Sequence, residues 1–487
     1  MNYKMMCRFF ALICFCETVF LIPPLIISIV DGATNATIGF ALSGVVSLLL
    51  YFGFHVLARG ASGSLYAKDG FVCVAASWMM ISLLGALPFV ISGEIPHFID
   101  ALFEIVSGFT TTGASVLSDV EALSRGMLYW RSFSNWVGGM GVLVFLLALV
   151  PAGRKNEGFT MHLFRAESPG PDVGKLVPKL RHTAAMLYVT YIVLTVLNFL
   201  FLLLGDMDVF EALCTAFSTA GTGGFGVKND SLASFSPYVQ NVTTAFMLIF
   251  GVNFSCYYLL ILRQFKTVIR DEELRLYGAI VGISIALITC NVFATTNLYG
   301  DIWETLRHAS FQVASIISTC GFSTTDFDLW PAFSKGVLMI LMITGACAGS
   351  TCGGMKCARV LLLFKGMRRN IRRLLHPQQV QPIRVNDKAV DERVMSNTNA
   401  YLSAYMVILF VSFLIVSLDG FSIATNFSAV LSCFNNIGPG FESVGPMMNF
   451  GSFGILSKLV LIFDMLAGRL EIFPILLLFS AGVWKRS

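Results

Sequence analysis

Long and short apolar segments alternate along the chain in a regular order. A helix needs about 20 apolar residues to cross a bilayer, and ten segments reach that length. They are 9–30, 36–58, 70–93, 126–150, 183–205, 236–262, 274–297, 333–363, 398–418 and 453–483. Four apolar segments are too short to cross, and these are 100–111, 208–220, 301–318 and 422–435. We predict that the short segments are re-entrant helices.

Each short segment leads directly into a polar run that contains glycine. An aspartate opens each short helix, where a carboxylate caps free backbone N–H groups and interacts favourably with the helix dipole. These aspartates are Asp100, Asp208, Asp301 and Asp419. The polar runs are 108–115, 222–225, 318–322 and 435–440.

The order of span, short helix, glycine run and span recurs four times after the first two spans. We therefore predict an all-α polytopic membrane protein with four pseudo-symmetric repeats around a central pore and two N-terminal transmembrane helices. The spacing between the glycines at 113, 223, 321 and 438 is too long for a solenoid repeat. The predicted units are the N-terminal pair 1–60 and repeats one to four at 70–150, 183–262, 274–363 and 398–483.

Composition agrees with a membrane protein and excludes a soluble globular domain. Hydrophobic residues make up 56% of the chain and charged residues 13%. The net charge of +4 gives no reason to expect nucleic acid as a partner. The cysteines lie in apolar segments without zinc or disulfide spacing, so we expect them to be small buried hydrophobes. Examples are Cys14, Cys73, Cys214, Cys290 and Cys433.

The first apolar segment follows two basic residues, as a secretory signal would. Glu17 interrupts it, Pro23 and Pro24 should kink it, and no small-residue cleavage site follows. We therefore interpret it as a retained membrane helix.

The distribution of lysine and arginine predicts the orientation in the membrane. Loops 151–182, 263–275 and 364–393 hold six, four and eight basic residues, and both termini add more on the same side. That side should be cytoplasmic. The glycine runs then open to the outside, where several carboxylates would attract cations. All four repeats run in the same sense, which is the plan of a pore, whereas many carriers use inverted repeats.

The glycine runs suit the chemistry of a cation pore. A monovalent cation in the membrane needs oxygens in place of its hydration shell, and backbone carbonyls around one axis supply them. Glycine tolerates the torsions that turn carbonyls inward. One such run is more often a helix-packing contact of small residues, but four in equivalent positions favour a shared axis.

The four runs are similar to those of the Trk/Ktr/HKT superfamily of potassium transporters, and the two extra N-terminal spans resemble its TrkH branch. Further resemblances lie at 251–254, 348–356 and 468–471. The resemblance implies a potassium-uptake pore, assembled as a homodimer in the bacterial inner membrane with a cytoplasmic N-terminus. It implies filter residues at Thr111, Thr112, Gly113, Gly221, Thr222, Gly223, Thr319, Cys320, Gly321, Asn436, Ile437 and Gly438. Cys320 stands where threonine is usual in the family, and we expect it to change the support of the loop more than ion binding.

A gate is predicted within the eighth span. Segment 345–354 contains too many glycines for a stable helix. An alternative interpretation is that its small residues form a close-packing surface between helices. The resemblance implies a flexible loop that blocks the pore, with Arg469 as a latch; the alternative for Arg469 is an ion pair with Asp464 or Glu471. Lys356 could simply extend toward the cytoplasm. The predicted gate residues are Gly345, Gly349, Gly353, Gly354, Lys356 and Arg469.

The resemblance also implies a cytosolic ring of nucleotide-binding RCK subunits, docked on the basic loops. We expect no organic cofactor and no enzymatic activity, because no catalytic triad, metal cluster or phosphate-binding loop stands out. A sodium or mixed sodium/potassium transporter of the same superfamily is an alternative. A proton- or sodium-coupled carrier of small solutes is a second alternative, which predicts inverted repeats and a carboxylate buried in mid-span.

Overall fold

The structure, a computed structural model, describes residues 3–60, 67–139, 141, 180–379 and 381–480. Several predicted features lie outside the described residues. They are most of the basic loop 151–182, the end of the span predicted at 126–150, and the C-terminal residues 481–487.

Two N-terminal spans precede the repeats. Helices Tyr3–Phe20 and Ile22–Val30 together form the first span, and the break at Leu21 lies just before the proline pair, as predicted. Helix Thr34–Leu57 forms the second span and is largely exposed, as expected of a helix that faces lipid.

Four repeats follow, each built from a long helix, a short helix and a second helix that we call the closing helix. The long helices are Ala67–Ser92, Leu180–Leu203, Glu272–Thr295 and Glu392–Val416. The short helices are Phe98–Phe109, Val209–Gly221, Ile302–Ile317 and Ile423–Phe434. The closing helices are Arg125–Gly139, Pro237–Phe250, Ala332–Thr344 and Ile455–Arg469. The predicted repeat order and the four short helices are thus confirmed.

All four closing helices are too short to cross a bilayer. They hold 13 to 15 residues, against about 20 for a spanning helix. In repeat two the chain bends by 89° before helix Phe254–Ile261. In repeat three a loop separates the closing helix from helix Cys357–Leu375, and in repeat four a turn precedes helix Phe473–Leu478. The sequence predicted only the break in repeat three, so ten unbroken spans was too simple an expectation.

The remaining elements are short and lie between the helices. Helix Phe265–Arg270 links repeats two and three, and strands Arg384–Val385 and Lys388–Ala389 form an antiparallel hairpin before repeat four. The short 3₁₀ turns are Phe327–Leu329, Ser417–Asp419 and Glu442–Val444.

Carboxylates join the end of a long helix to the start of a closing helix in three repeats. Glu94 accepts hydrogen bonds from the backbone N–H and hydroxyl of Ser124, at 2.9 and 2.7 Å. Asp206 does the same with Ser236, at 3.1 and 2.7 Å, and this hydroxyl bond lowers the pKa of Asp206. Asp419 accepts from the N–H of Gly454 at 2.8 Å. Three of the four repeats therefore share the same link between their long and closing helices.

Two of the four predicted helix caps are wrong. Asp208 and Asp301 do cap their short helices, each accepting an N–H bond of 2.6 Å. Ser422, not Asp419, caps the fourth short helix, because Asp419 is bound to the closing helix instead. Asp100 lies within the first turn of its helix and pairs with Lys458 at 2.6 Å.

One expectation about buried groups needs correction. Cys290 is exposed on its long helix, although the other four cysteines named above are buried. Among the acidic residues, Glu17, Glu104 and Asp464 are completely buried. Glu104 and Asp464 have polar partners in Arg131 and Ser412.

Candidate functional site

Every short helix ends in the same turn. A threonine or asparagine with a left-handed backbone follows the helix, and the next residue donates its N–H to the carbonyl of a serine five positions earlier. This is the Schellman arrangement, in which these bonds satisfy the last helical carbonyls. The left-handed residues are Thr111, Thr222, Thr319 and Asn436, with φ of 57°, 57°, 53° and 54°. The serines are Ser107, Ser218, Ser315 and Ser432, bonded at 2.8, 2.9, 2.8 and 3.0 Å.

This turn is strained in all four repeats. A left-handed backbone costs an L-residue roughly 1–2 kcal/mol, and β-branched threonine is especially unsuited to it. Such strain persists where the surrounding structure enforces it, and it is concentrated at functional sites. The short helices therefore end at a point that packing fixes closely.

A glycine follows two residues after each strained residue, again with positive φ. These glycines are Gly113, Gly224, Gly321 and Gly438, with φ of 79°, 69°, 89° and 103°. The sequence register was therefore wrong in repeat two, where Gly224 and not Gly223 is the equivalent of Gly113. Gly223 corresponds instead to Thr112, Cys320 and Ile437.

The four glycines join the loops into a closed ring. A methyl group on Gly113 would lie 2.2 Å from the carbonyl oxygen of Gly223, in the next repeat. A methyl group added to Gly224 would lie 2.0 Å from the Cys320 carbonyl oxygen. One added to Gly321 would lie 2.2 Å from the Ile437 oxygen, and one added to Gly438 would lie 2.8 Å from the Thr112 oxygen. Each repeat thus touches the next, and the fourth returns to the first.

Serine hydroxyls behind three of the loops hold the outgoing backbone. Ser218 donates to the carbonyl of Phe225 at 2.9 Å and Ser315 to that of Phe322 at 2.6 Å. Ser432 donates to the carbonyl of Gly438 at 2.7 Å. These bonds fix the direction of the chain as it leaves the ring.

Side chains of the predicted filter residues mostly support the loops. Asn436 donates to the Thr112 hydroxyl at 3.0 Å and to the Met465 carbonyl at 2.9 Å, which ties loop four to loop one. The thiol of Cys320 lies 3.9 Å from the Ser218 carbonyl, behind the loop of the neighbouring repeat. The Cys320 carbonyl, in contrast, belongs to the ring.

A buried ion pair supports the outer side of loops one and two. Arg131 and Glu104 lie 2.8 Å apart and are both almost fully buried. Glu104 also accepts from the Ser115 hydroxyl and the Val116 N–H, both at 3.0 Å. The Arg131 guanidinium lies over the ring of Phe225, 4.2 Å from its centroid. This pair connects the short helix of repeat one to both loops.

The glycine-rich loop 345–356, which we call the gate loop after the role predicted for it, lies against one side of the ring. Gly353 donates its N–H to the Thr319 hydroxyl at 2.8 Å, and a methyl group on it would lie 2.9 Å from the Asn436 Cβ. Cys352 contacts the Thr222 hydroxyl. The gate loop thus reaches the strained residue of three repeats directly.

Arg469 completes these contacts with the first repeat. It is the last residue of its closing helix. Its guanidinium donates to the Thr351 carbonyl at 2.8 Å and the Thr111 hydroxyl at 3.4 Å. It also donates to the carbonyls of Gly138 and Gly139, which end the first closing helix.

The alternative partners proposed for Arg469 are engaged elsewhere. Asp464 accepts from Ser412 at 2.7 Å, and Glu471 pairs with Arg359. Lys356 does not extend toward the cytoplasm, because its side chain is 1% exposed and donates to the Cys352 carbonyl within the gate loop.

The gate loop also satisfies the broken helices. A helix that ends inside a membrane leaves carbonyls without partners, and each must find a donor within the protein. Cys347 donates its N–H to the Gly251 carbonyl at 3.1 Å, at the break in repeat two. Gly349 accepts from the N–H of Phe254 at 3.0 Å. The loop and the four helix ends therefore form one packed layer.

Sequence reasoning missed several residues of the site. The four serines were not identified, although they share one offset from the strained residue, and this offset is visible in the sequence. The Glu104–Arg131 pair carried no comparable signal, because its members lie 27 positions apart on different helices.

The fold and the ring define a polytopic membrane transport protein built on the plan of a cation pore. The family model of the TrkH cation transport proteins matches residues 34–485. The chain belongs to this family, which confirms the predicted resemblance, and the family consists of transporters rather than enzymes.

Curated relatives and a solved structure agree with this assignment. The Trk system potassium uptake protein TrkH of Salmonella typhimurium is 37% identical over 88% of both chains. TrkG of Escherichia coli K12 is 33% identical over 96% of this chain and 95% of its own, and TrkH of Halomonas elongata 32% over the full length of both. The crystal structure of the potassium transporter TrkH from Vibrio parahaemolyticus superposes with a TM-score of 0.88, at 31% identity and full coverage of both chains.

Replacement of Glu104 by alanine should destabilise the protein strongly. Loss of one partner of a buried ion pair leaves the other charge uncompensated and costs about 3–5 kcal/mol. We expect a clear fall in the thermal unfolding midpoint in detergent. Arg125→Ala is the control, because its pair with Asp31 is loose at 3.7 Å and Arg125 is exposed, so a similar fall there would contradict the prediction.

Replacement of Gly113 by alanine should damage the ring even though the other three glycines remain. The new methyl group would meet the Gly223 carbonyl at 2.2 Å on a left-handed backbone, so the two loops must separate. We expect lower cation uptake and altered selectivity. Gly336→Ala is the control, since that glycine has open space around it. Uptake and selectivity equal to wild type in Gly113→Ala would refute the ring.

Proposed function

We propose that this protein takes up potassium ions through the ring of loops. The observation that carries the proposal is the closed set of four glycine–carbonyl contacts, in which the carbonyls of Thr112, Gly223, Cys320 and Ile437 each meet a glycine of another repeat. A ring of carbonyls can replace the hydration shell of a monovalent cation. The potassium uptake named for the relatives supports the choice of ion.

The proposed ion-binding residues are those predicted from the resemblance, with Gly224 added by the structure. Glycine is present at the ring position in all four repeats, and in this superfamily we associate that pattern with potassium rather than sodium. A sodium or mixed transporter remains the alternative to test. A coupled carrier built on inverted repeats is not favoured, because these repeats are parallel.

The gate loop and Arg469 form the proposed gate. Together they contact the strained residue of every repeat, so the inner mouth of the ring is covered. Arg469 also places a positive charge there, which opposes cation passage. A charge at this depth costs about 2.5–3.5 kcal/mol without partners, and four oxygens compensate it here. Opening requires the loop and the guanidinium to move away.

The assembly that we propose follows the superfamily. The chain acts as a homodimer in the bacterial cytoplasmic membrane, with its N-terminus in the cytoplasm. A cytosolic ring of RCK-type nucleotide-binding subunits controls it, and the basic helix Cys357–Leu375, which follows the gate loop directly, serves as a docking element. The names of the relatives, which describe a Trk system, support a partnership with other components.

Expression in a bacterium that lacks its own potassium uptake systems should restore growth at low potassium. The effect should persist without sodium, since the proposed ring needs no second ion. Growth should be scored against external potassium at several sodium concentrations. Rescue only with sodium would favour the mixed transporter, and no rescue at any sodium level would contradict potassium uptake.

Replacement of Arg469 by alanine should raise cation flux through the purified protein in liposomes. The change removes the positive charge and the bonds from the closing helix to the gate loop. Arg270→Ala, on the exposed helix between repeats two and three, should leave flux unchanged. Equal flux in wild type and Arg469→Ala would remove the latch from the proposal.

A further inference from the structure

The turn that follows Arg469 is strained at two successive residues. Glu471 and Ile472 both have a positive φ, of 60° and 65°, and Ile472 is the centre of a γ-turn with ψ of −59°. For a β-branched residue such as Ile472 this backbone is a genuine outlier. The turn is held by a 2.7 Å bond from the Ile472 N–H to the Ala467 carbonyl. This hydrogen bond fixes the positions of Arg469 and Glu471 relative to each other.

These two side chains reach both parts of the gate loop. Arg469 binds the Thr351 carbonyl in its middle. The Glu471 carboxylate accepts a hydrogen bond from the guanidinium of Arg359, which lies in the first turn of the helix that follows the loop. The turn that follows Arg469 therefore holds both the gate loop and helix Cys357–Leu375, which would have to move with the loop.

The Arg359–Glu471 pair is buried in a polar and aromatic setting. Arg359 is 7% exposed, and its guanidinium lies 3.8 Å from the centroid of the Tyr401 ring. It also donates to the Met355 carbonyl at 3.3 Å. Tyr401 stacks on Tyr405, whose hydroxyl accepts from the Asn435 amide at 2.9 Å, so the pair is connected to loop four.

Glu471 is also a carboxylate that faces two cations. Lys356 and Arg359 both lie within electrostatic range of it, and Arg469 lies within range of Lys356. Removal of this carboxylate leaves buried positive charges that repel one another. The layer beneath the ring is then held closed less strongly.

We propose that the Arg359–Glu471 ion pair is a second anchor of the gate, which holds helix Cys357–Leu375 beneath the pore until the pair is broken. Arg469 secures the middle of the gate loop, and this pair secures its inner end. The inference rests on the proposed function of the loop as a gate. It assigns Arg359 and Glu471 as positioning residues that act on the loop and do not contact the ion.

Two other ion pairs on the same helix provide matched comparisons. Lys365 pairs with Glu272 and Arg369 with Glu392. Glu392 is 67% exposed and Glu272 34%, against 19% for Glu471. Exposed pairs are screened and contribute little, so their loss should not release the helix.

The test measures cation flux through the purified full-length protein in liposomes without any regulatory subunit. Arg359→Gln and Glu471→Gln should each raise flux several-fold, while Arg359→Lys, which keeps the charge, should stay closer to wild type. The double variant should exceed the larger single effect only slightly, because both changes remove the same interaction. Glu392→Gln is the control and should behave as wild type.

A second readout reports on the loop itself. Cys352 is 1% exposed within the gate loop, so a maleimide should label it slowly in wild type. Labelling of that cysteine, quantified by mass spectrometry on monodisperse folded protein, should accelerate in Glu471→Gln and not in Glu392→Gln. The requirement for monodisperse folded protein excludes a misfolded variant, in which labelling would also accelerate.

The outcomes separate the anchor from the gate. Higher flux in Arg469→Ala with wild-type flux in both glutamine variants would overturn the anchor and leave the gate in place. Unchanged flux in all three variants would overturn the proposed gate, and the anchor with it. Faster Cys352 labelling in Glu471→Gln without a rise in flux would also overturn the anchor.

Discussion

The close approach of four glycines to four carbonyls is the constraint on which the rest of the structure depends. A glycine within van der Waals distance of the next repeat's carbonyl cannot be exchanged for any residue with a side chain unless the loops separate. The short helices must therefore end at one depth and in one orientation. The repeated Schellman turn achieves this, because its hydrogen bond to the equivalent serine in each repeat fixes where each helix stops.

The ends of the closing helices place a further demand on the structure. All four helices end after 13 to 15 residues. Their free carbonyls need donors in a region without water. Arg469 donates to the first helix and Cys347 to the second. The polar groups that cover the pore are thus the same groups that make the broken helices acceptable in the membrane.

The repeat architecture could be predicted from the sequence because it depends on the length of apolar segments and on the position of glycine. Finer features depended on tertiary contacts. Gly223 and Gly224 are adjacent, so only the contact with Cys320 distinguishes the ring glycine. The break after Phe250 lies at Gly251 and Asn253, where Asn253 caps the next helix, but this local signal is weak within a long apolar segment. Asp419 and Ser422 are both good caps, and the nearby Gly454 N–H decides which helix Asp419 serves.

The four repeats are equivalent at the ring but not beneath it, and this difference matters for control. A symmetric floor would need four identical elements to move together. Here a single loop from repeat three and a single arginine from repeat four contact the strained residues of all the repeats. The Gly353 N–H and the Thr319 hydroxyl satisfy each other, so displacement of the loop also removes a bond from the ring. The position of the loop and the support of the ring therefore depend on shared hydrogen bonds.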